Sequence, residues 1–164
     1  MPRAPQELRT FFITAVTANR RRLFQIESNA ELLLNLFNED RVKDRYQLHA
    51  FVIMPDHIHL LITPAPDISI EKALQYIKGG FSFRLKSKLD VWQSGFTKRR
   101  IEDAQDYTNH GNYIHENPVR ARLCEQATDF PYSSSAGKFP IDPAPVHLSP
   151  RAKAPQHTNA HLSA

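Results

Sequence analysis

Two histidines separated by a single residue, His57 and His59, interrupt an otherwise apolar run, HIHLLIT, and they are the first residues in the chain equipped for chemistry. In an extended segment side chains alternate between faces, so both imidazoles project to one side while Ile58 turns to the other, into a helix-covered core. Two imidazoles at this spacing can grip one metal ion, and burying them in such a strand costs free energy unless a ligand or hydrogen bonds compensate. The motif is short, and two ordinary strand histidines read the same way. Further along, Tyr113 and Asn117 stand one helical turn apart, so a phenol and an amide oxygen that could complete a metal site share a face. Each has a plainer reading, as a packing tyrosine and as a helix-ending asparagine before Pro118. Asp106, His110, Tyr113 and Asn117 nevertheless recur at i, i+4, i+7 and i+11, a stripe too polar for a core face.

The elements that must position these residues can be read from hydrophobic spacing. Residues 8 to 18, LRTFFITAVTA, are rich in β-branched and aromatic types and predict a strand that ends at the basic turn of Asn19 to Arg22. Ser28 with Glu31 three residues on has a capping-box pattern, and Leu32, Leu33, Leu36 and Phe37 follow at helical spacing, which predicts a helix ending near Glu39 and Asp40. Residues 46 to 54 and 57 to 63 are apolar runs separated only by Pro55 and Asp56, a hairpin. Ser69 opens a longer helix reaching about Lys88, with Ile70, Ala73, Leu74, Ile77, Phe81 and Leu85 on one side and Gly79-Gly80 as its weak point. Residues 92 to 101, WQSGFTKRRI, predict a last strand. The order strand, helix, strand, strand, helix, strand is the ferredoxin-like (RRM-like) α+β plan, an antiparallel sheet with helices on one face. Glu102 and Asp103 then open an extra helix carrying Tyr113, which Pro118 should end at Asn117. From about Ala136 the chain is poor in large apolar residues, so 1–136 reads as the domain and 137–164 as a flexible Pro/His-rich tail whose deletion should spare folding.

Composition sets the surroundings. With 164 residues and 41% hydrophobic content there is room for one ordinary core. A net charge of +4, from 21 Lys and Arg against 17 acids, suits a polyanion such as nucleic acid and suits mere solubility as well. The one cysteine, Cys124, has no partner for a disulfide or a thiolate zinc site, which favours a reducing compartment. No signal core and no run of about 18 apolar residues occurs, so a cytoplasmic protein without membrane spans is expected. Candidate phosphate contacts are Arg20, Arg21, Arg22, Lys78, Arg84, Lys86, Lys88, Lys98, Arg99, Arg100, Arg120 and Arg122. Among them lie Phe81, Phe83, Trp92 and Phe96, which could stack on unpaired bases.

Taken together, the blocks MPDHIHLLITP, VWQSGF with a basic strand after it, DYTNHGNYIHENPVRARL and DFPYSSS resemble, in order and spacing, the REP-associated tyrosine transposases, relatives of the single-tyrosine insertion-sequence transposases of the HUH nuclease class. The likeness covers residues 8 to 136. It implies that His57 and His59 bind a divalent cation with Asn117 as third ligand, and that Tyr113 is the nucleophile, Tyr107 falling six residues too early in the pattern. It further implies a 5′-phosphotyrosine intermediate, a free 3′-hydroxyl on the other fragment, and hairpin-forming single-stranded DNA as the partner of a monomer or homodimer. Relatives usually have Gly where this chain has Arg122, a difference that bears on the turn after the tyrosine helix.

The chemistry has its own logic. A phosphodiester is attacked in line, so charge on its non-bridging oxygens must be neutralised and the nucleophile placed opposite the leaving oxygen. A phenol, with a pKa near 10, forms a stable yet reversible aryl phosphodiester that keeps the bond energy for rejoining. Imidazole and oxygen ligands without thiolate suit Mg2+ or Mn2+. Two other readings compete: a nucleic-acid-binding module of the same fold without catalysis, and a metal-dependent hydrolase of small molecules using His49 as a third ligand.

Overall fold

The computed structural model describes residues 8–149. In chain order these form β1 (Phe11–Val16), α1 (Glu27–Val42), β2 (Tyr46–Met54), β3 (His57–Pro64), α2 (Ile70–Leu85), β4 (Thr97–Arg100) and α3 (Ala104–Arg120), with short 3-10 turns between and after them. The strands make one antiparallel sheet in the order β2-β3-β1-β4. This is the ferredoxin-like arrangement that the element order predicts.

Strand alternation divides the core in two. Ile13 and Ala15 of β1, Phe51 and Ile53 of β2, and Ile58, Leu60 and Ile62 of β3 face α1 and α2, where Leu33, Phe37, Leu74, Ile77 and Phe81 meet them. Ala50, Val52, Met54 and Leu61 point to the opposite face and pack with Ile101, Ile114 and Leu148, bordered by Phe12 and Tyr107. A bulge between Leu48 and Ala50 makes this division possible, because it resets the side-chain phase of β2 midway. Tyr46 and Leu48 before the bulge and Phe51 and Ile53 after it all reach the larger core. Full burial of each such side chain stabilises by roughly 1.5–3 kcal/mol. α3 itself buries only Ile114 and Pro118, so the tyrosine helix is held on by few apolar anchors.

Local chemistry explains where the elements begin and stop. Ser69 caps α2, its hydroxyl accepting the Lys72 N–H at 3.0 Å, as its position implies. Gly79 and Gly80 do not weaken this helix into a break. A Cβ at Gly80 would stand 3.1 Å from Leu36, so the missing side chain lets α1 and α2 approach closely. Ser28 is not a cap: α1 starts at Glu27, with Ile26, two residues before Ser28, at the N-cap and no side-chain cap bond, and it continues to Val42. α2 ends at Leu85 because Lys86 adopts a left-handed conformation. β4 is only Thr97–Arg100, with Trp92 joined to Thr17 by a separate bridge.

Pro118 lies inside α3. The helix survives because a proline removes one amide donor and α3 has a single turn left to run, so little is lost. The chain leaves through Arg122 at φ 61°, a left-handed conformation that suits Gly better than an L-residue.

The expectation of a flexible segment from residue 137 fails for residues 137–149. Phe139 packs edge-on to Phe51 at 5.1 Å, Asp142 pairs with Arg41 at 2.8 Å, and Leu148 is buried beside α3. Three anchors spread over ten residues suffice where composition alone looks too polar. The remainder, 150–164, lies outside the described residues.

Two predictions follow from this packing. A chain ending at Ala136 should melt below one ending at Ser149, and Leu148→Ala alone should cost about 2–5 kcal/mol in chemical denaturation; equal midpoints would show that the segment contributes nothing. Arg122→Gly should instead stabilise by on the order of 0.5–1 kcal/mol, the left-handed cost to an L-residue less the entropy of glycine.

Candidate active site

The face of the sheet under α3 is where the singled-out residues meet. His59 pairs in register with Thr14 on β1, and His57 with Val16. Thr14 Oγ1 and His59 Nδ1 share a hydrogen bond at 2.9 Å. His57 donates from Nδ1 to the Asp56 carboxylate at 2.7 Å, and Asp56 in turn accepts from Arg20 at 3.1 Å. The two imidazoles lie 4.8 Å apart, centre to centre. Ile58 between them is fully buried on the opposite face, as alternation requires.

α3 brings Tyr113 over this pair. Asp103 caps its N-terminus by accepting the Asp106 N–H at 2.8 Å, which fixes where the helix starts and so which residues face the sheet. The Tyr113 ring sits edge-on to His59 at 5.5 Å and to Phe12 at 5.8 Å, and Phe12 stacks on His59 at 5.3 Å. Tyr113 remains 42% exposed. The Arg120 guanidinium lies 4.5 Å from its ring centre. Asn117 follows one turn on, half-buried. Phe12, Asn109, His110 and Tyr113 line an open cleft of about 300 Å³.

Electrostatics distinguishes the candidates. Burial, aided by the charge of neighbouring His57, pushes His59 down to about 3, so its imidazole is neutral at physiological pH. Burial disfavours the Asp56 carboxylate, but His57 and Arg20 outweigh it and hold the group below its ordinary value. Tyr107, the rival tyrosine, is raised to about 12 by burial and packs on His49 at 5.8 Å. His49 is a structural residue: its ring nitrogens meet Thr63 Oγ1 at 2.8 Å and the Asp142 carbonyl at 3.2 Å. Both nitrogens are thus occupied, which removes the small-molecule hydrolase reading.

The donors fit a hard divalent cation. Each Nδ1 is engaged by an oxygen partner, the usual outer support of a metal-binding histidine, which leaves the two Nε2 atoms as ligands. No group of three His, Cys, Asp or Glu gathers round a common point among the described residues. Further ligands therefore have to be amide, water or phosphate oxygens.

The basic residues are dispersed. Arg20, Arg99 and Arg120 surround the histidine face, Arg99 reaching Asp106 at 3.5 Å. Lys98 lies on the other face, paired with Glu71 of α2 at 2.5 Å. Arg84 pairs with Glu39, Arg21 donates to the Asp90 carbonyl, and Arg22 is exposed. Arg100 alternates with Arg99 and so shares the face of Lys98. Lys78 donates to the carbonyls of Gln93 and Gly95 at 3.1 and 2.7 Å, holding the loop before β4. Among the aromatics, Phe81 belongs to the larger core and Trp92 and Phe96 pack against it, whereas Phe83 is 80% exposed.

Sequence reading missed Phe12, Thr14 and Asp56. Phe12 and Thr14 alternate on the strand opposite His59, a signal that exists only once the β1–β3 register is known. Asp56 reads as a turn residue and is one, its carboxylate serving His57 as well.

Comparison with known proteins settles the family, since a family model described as "Transposase IS200 like" matches residues 8–117. The chain belongs to the IS200-like transposases. The REP-associated tyrosine transposase of Escherichia coli K12 is 28% identical over 139 residues, covering 81% of this chain and 83% of its own. A solved structure described as a REP-associated tyrosine transposase bound to a REP hairpin superposes with a TM-score of 0.70 at 27% identity, covering 88% of this chain and 90% of that one. A crystal structure from Deinococcus radiodurans, 17% identical with a TM-score of 0.52, covers 71% of this chain and 95% of its own and shares the fold. The resemblance to the REP-associated transposases is therefore carried by sequence and fold together.

The buried histidines make acid sensitivity predictable. Burial lowers both His49 and His59 below the ordinary histidine value near 6.5. A folded-state pKa below the unfolded one means that stability is fully present above about pH 6.5 and is lost as pH falls toward the folded values. Thermal midpoints should drop between pH 7 and pH 5, and His49→Gln should lessen that drop; a midpoint flat over this range would contradict it.

Proposed function

We propose that this transposase nicks and rejoins single-stranded DNA at hairpin-forming repeats, with Tyr113 as the nucleophile. The observation that carries the reading is the exposed phenol of Tyr113 poised 5.5 Å, ring to ring, from His59 on the His57 face. A nucleophile needs solvent and substrate access, which Tyr113 has and the half-buried Tyr107 lacks. The hairpin bound to the solved relative supports DNA of that kind as the partner.

His57, His59 and Asn117 would hold Mg2+ or Mn2+, which when bound neutralises the non-bridging phosphate oxygens. Tyr113 Oη attacks phosphorus and the bond to the 3′-oxygen breaks, giving a 5′-phosphotyrosine and a free 3′-hydroxyl. Attack by a 3′-hydroxyl reverses the step and frees the tyrosine. Arg20, Arg99 and Arg120 lie around the site and would receive the phosphates on either side of the scissile one. The alternative, a hairpin-binding module without catalysis, would have no use for an exposed tyrosine over a histidine pair.

Tyr113→Phe should abolish covalent adduct formation with a single-stranded hairpin oligonucleotide and leave binding nearly intact, whereas Tyr107→Phe keeps activity. His57→Ala, His59→Ala and EDTA should each stop cleavage, with Mg2+ or Mn2+ restoring the wild type, and Asn117→Ala should be milder because water can substitute. Adduct formation by Tyr113→Phe would end the assignment, and undiminished cleavage in EDTA would end the metal role.

A further inference from the structure

The polar stripe on α3 contains a second pair that the metal site and the nucleophile do not use. His110 Nδ1 lies 2.8 Å from the Asp106 carbonyl and 3.1 Å from its carboxylate. Both partners can only accept, so Nδ1 carries the proton and Nε2 holds the lone pair. The Asp106 carboxylate is itself fixed, accepting the Glu102 N–H at 3.1 Å and facing Arg99 at 3.5 Å. The His110 ring leans on Phe12 at 4.9 Å, so its position is set from two sides. Phe12 also touches Tyr113, and His110 and Tyr113 line the same cleft, three residues apart on one helical face.

We infer that His110, oriented by Asp106, is the proton-handling residue for Tyr113. The inference rests on the reading of Tyr113 as nucleophile. A phenol is largely protonated at neutral pH, so attack requires a base, and an imidazole with one nitrogen held by a carboxylate is the usual arrangement for activating a hydroxyl. In cleavage the Tyr113 proton passes to His110 Nε2 as the oxygen–phosphorus bond forms. The 3′-oxygen leaves and takes a proton from water. In rejoining, the incoming 3′-hydroxyl gives its proton to water, the phosphotyrosine bond breaks, and His110 returns its proton to the departing phenolate. The balance closes without any further reactant. The other charged or titratable groups around His110 are Asp106 on its own helix, Arg99 on β4, His59 on β3 across Phe12, and Tyr113 with Arg120 above it.

The test uses the full chain and an oligonucleotide carrying the REP hairpin of the solved relative, with single-turnover adduct formation as the readout. His110→Gln keeps a donor for Asp106 but has no basic nitrogen, and it should slow adduct formation about 100-fold or more with hairpin affinity unchanged. The acidic limb of the wild-type pH–rate profile should flatten in this variant. His110→Ala should be equally slow and should regain rate on addition of free imidazole, a response that a merely structural residue would not give; thermal melting of both variants checks folding. Wild-type rates in His110→Gln, or loss of rate without imidazole rescue and with an unaltered pH profile, would overturn the role while leaving Tyr113 as nucleophile. A wild type that forms no adduct removes the nucleophile reading and this proposal with it.

Discussion

The antiparallel pairing of β1 with β3 is the constraint on which the site depends. It sets Thr14 beside His59 and leaves Phe12, two residues back on the same face, to stack on that ring. Because side chains alternate along a strand, a slip of one residue would carry both histidines into the larger core and Ile58 out of it. That slip is opposed by every apolar residue of β1 and β3 that packs against α1 and α2. The packing of one face therefore fixes where the histidines stand on the other. α3, with few apolar anchors of its own, is then held by Phe12, Tyr107, Leu148 and the capped Asp103 turn.

Much of this is legible in the amino-acid sequence. The hairpin around Pro55 and Asp56, the Ser69 cap and the same-face placement of His57 and His59 follow from local rules, and those rules act within a few residues. What escapes them depends on tertiary context. Ser28 has a capping pattern, but the chain enters α1 two residues earlier, at Ile26, where the preceding turn delivers it. Pro118 is a helix breaker in general and tolerable in a last turn. The segment after residue 136 reads as too polar to fold because composition averages over its length, whereas Phe139, Asp142 and Leu148 each find a prepared place on the domain.

Charge is the least legible feature. The Lys and Arg of a sequence give the total attraction for a polyanion but not which cations are already engaged within the chain. Lys78 fastens a loop, and Arg84 and Lys98 answer acids on neighbouring helices. Exposed pairs of this kind contribute little to stability, and in competition with phosphate they can exchange partners. Arg20, Arg99 and Arg120 lie around the histidine face, and only geometry separates them from the rest.

The turn at residues 132–134 and the segment through Asp142 have a bearing on solubility. Ile53 donates to the Tyr132 carbonyl, Phe51 to the Ser134 hydroxyl, and Leu48 to the Asp142 carboxylate, so the outer hydrogen-bonding row of β2 is already occupied from within the chain. At the opposite margin β4 is four residues long and reads TKRR, exposed throughout. An unsatisfied, flat, apolar strand margin is a template on which further chains can add and polymerise. Here one margin is sealed and the other is short and positively charged, so two copies meeting edge to edge would bring like charges together. Both margins of the sheet are in this way kept from recruiting strands of another copy.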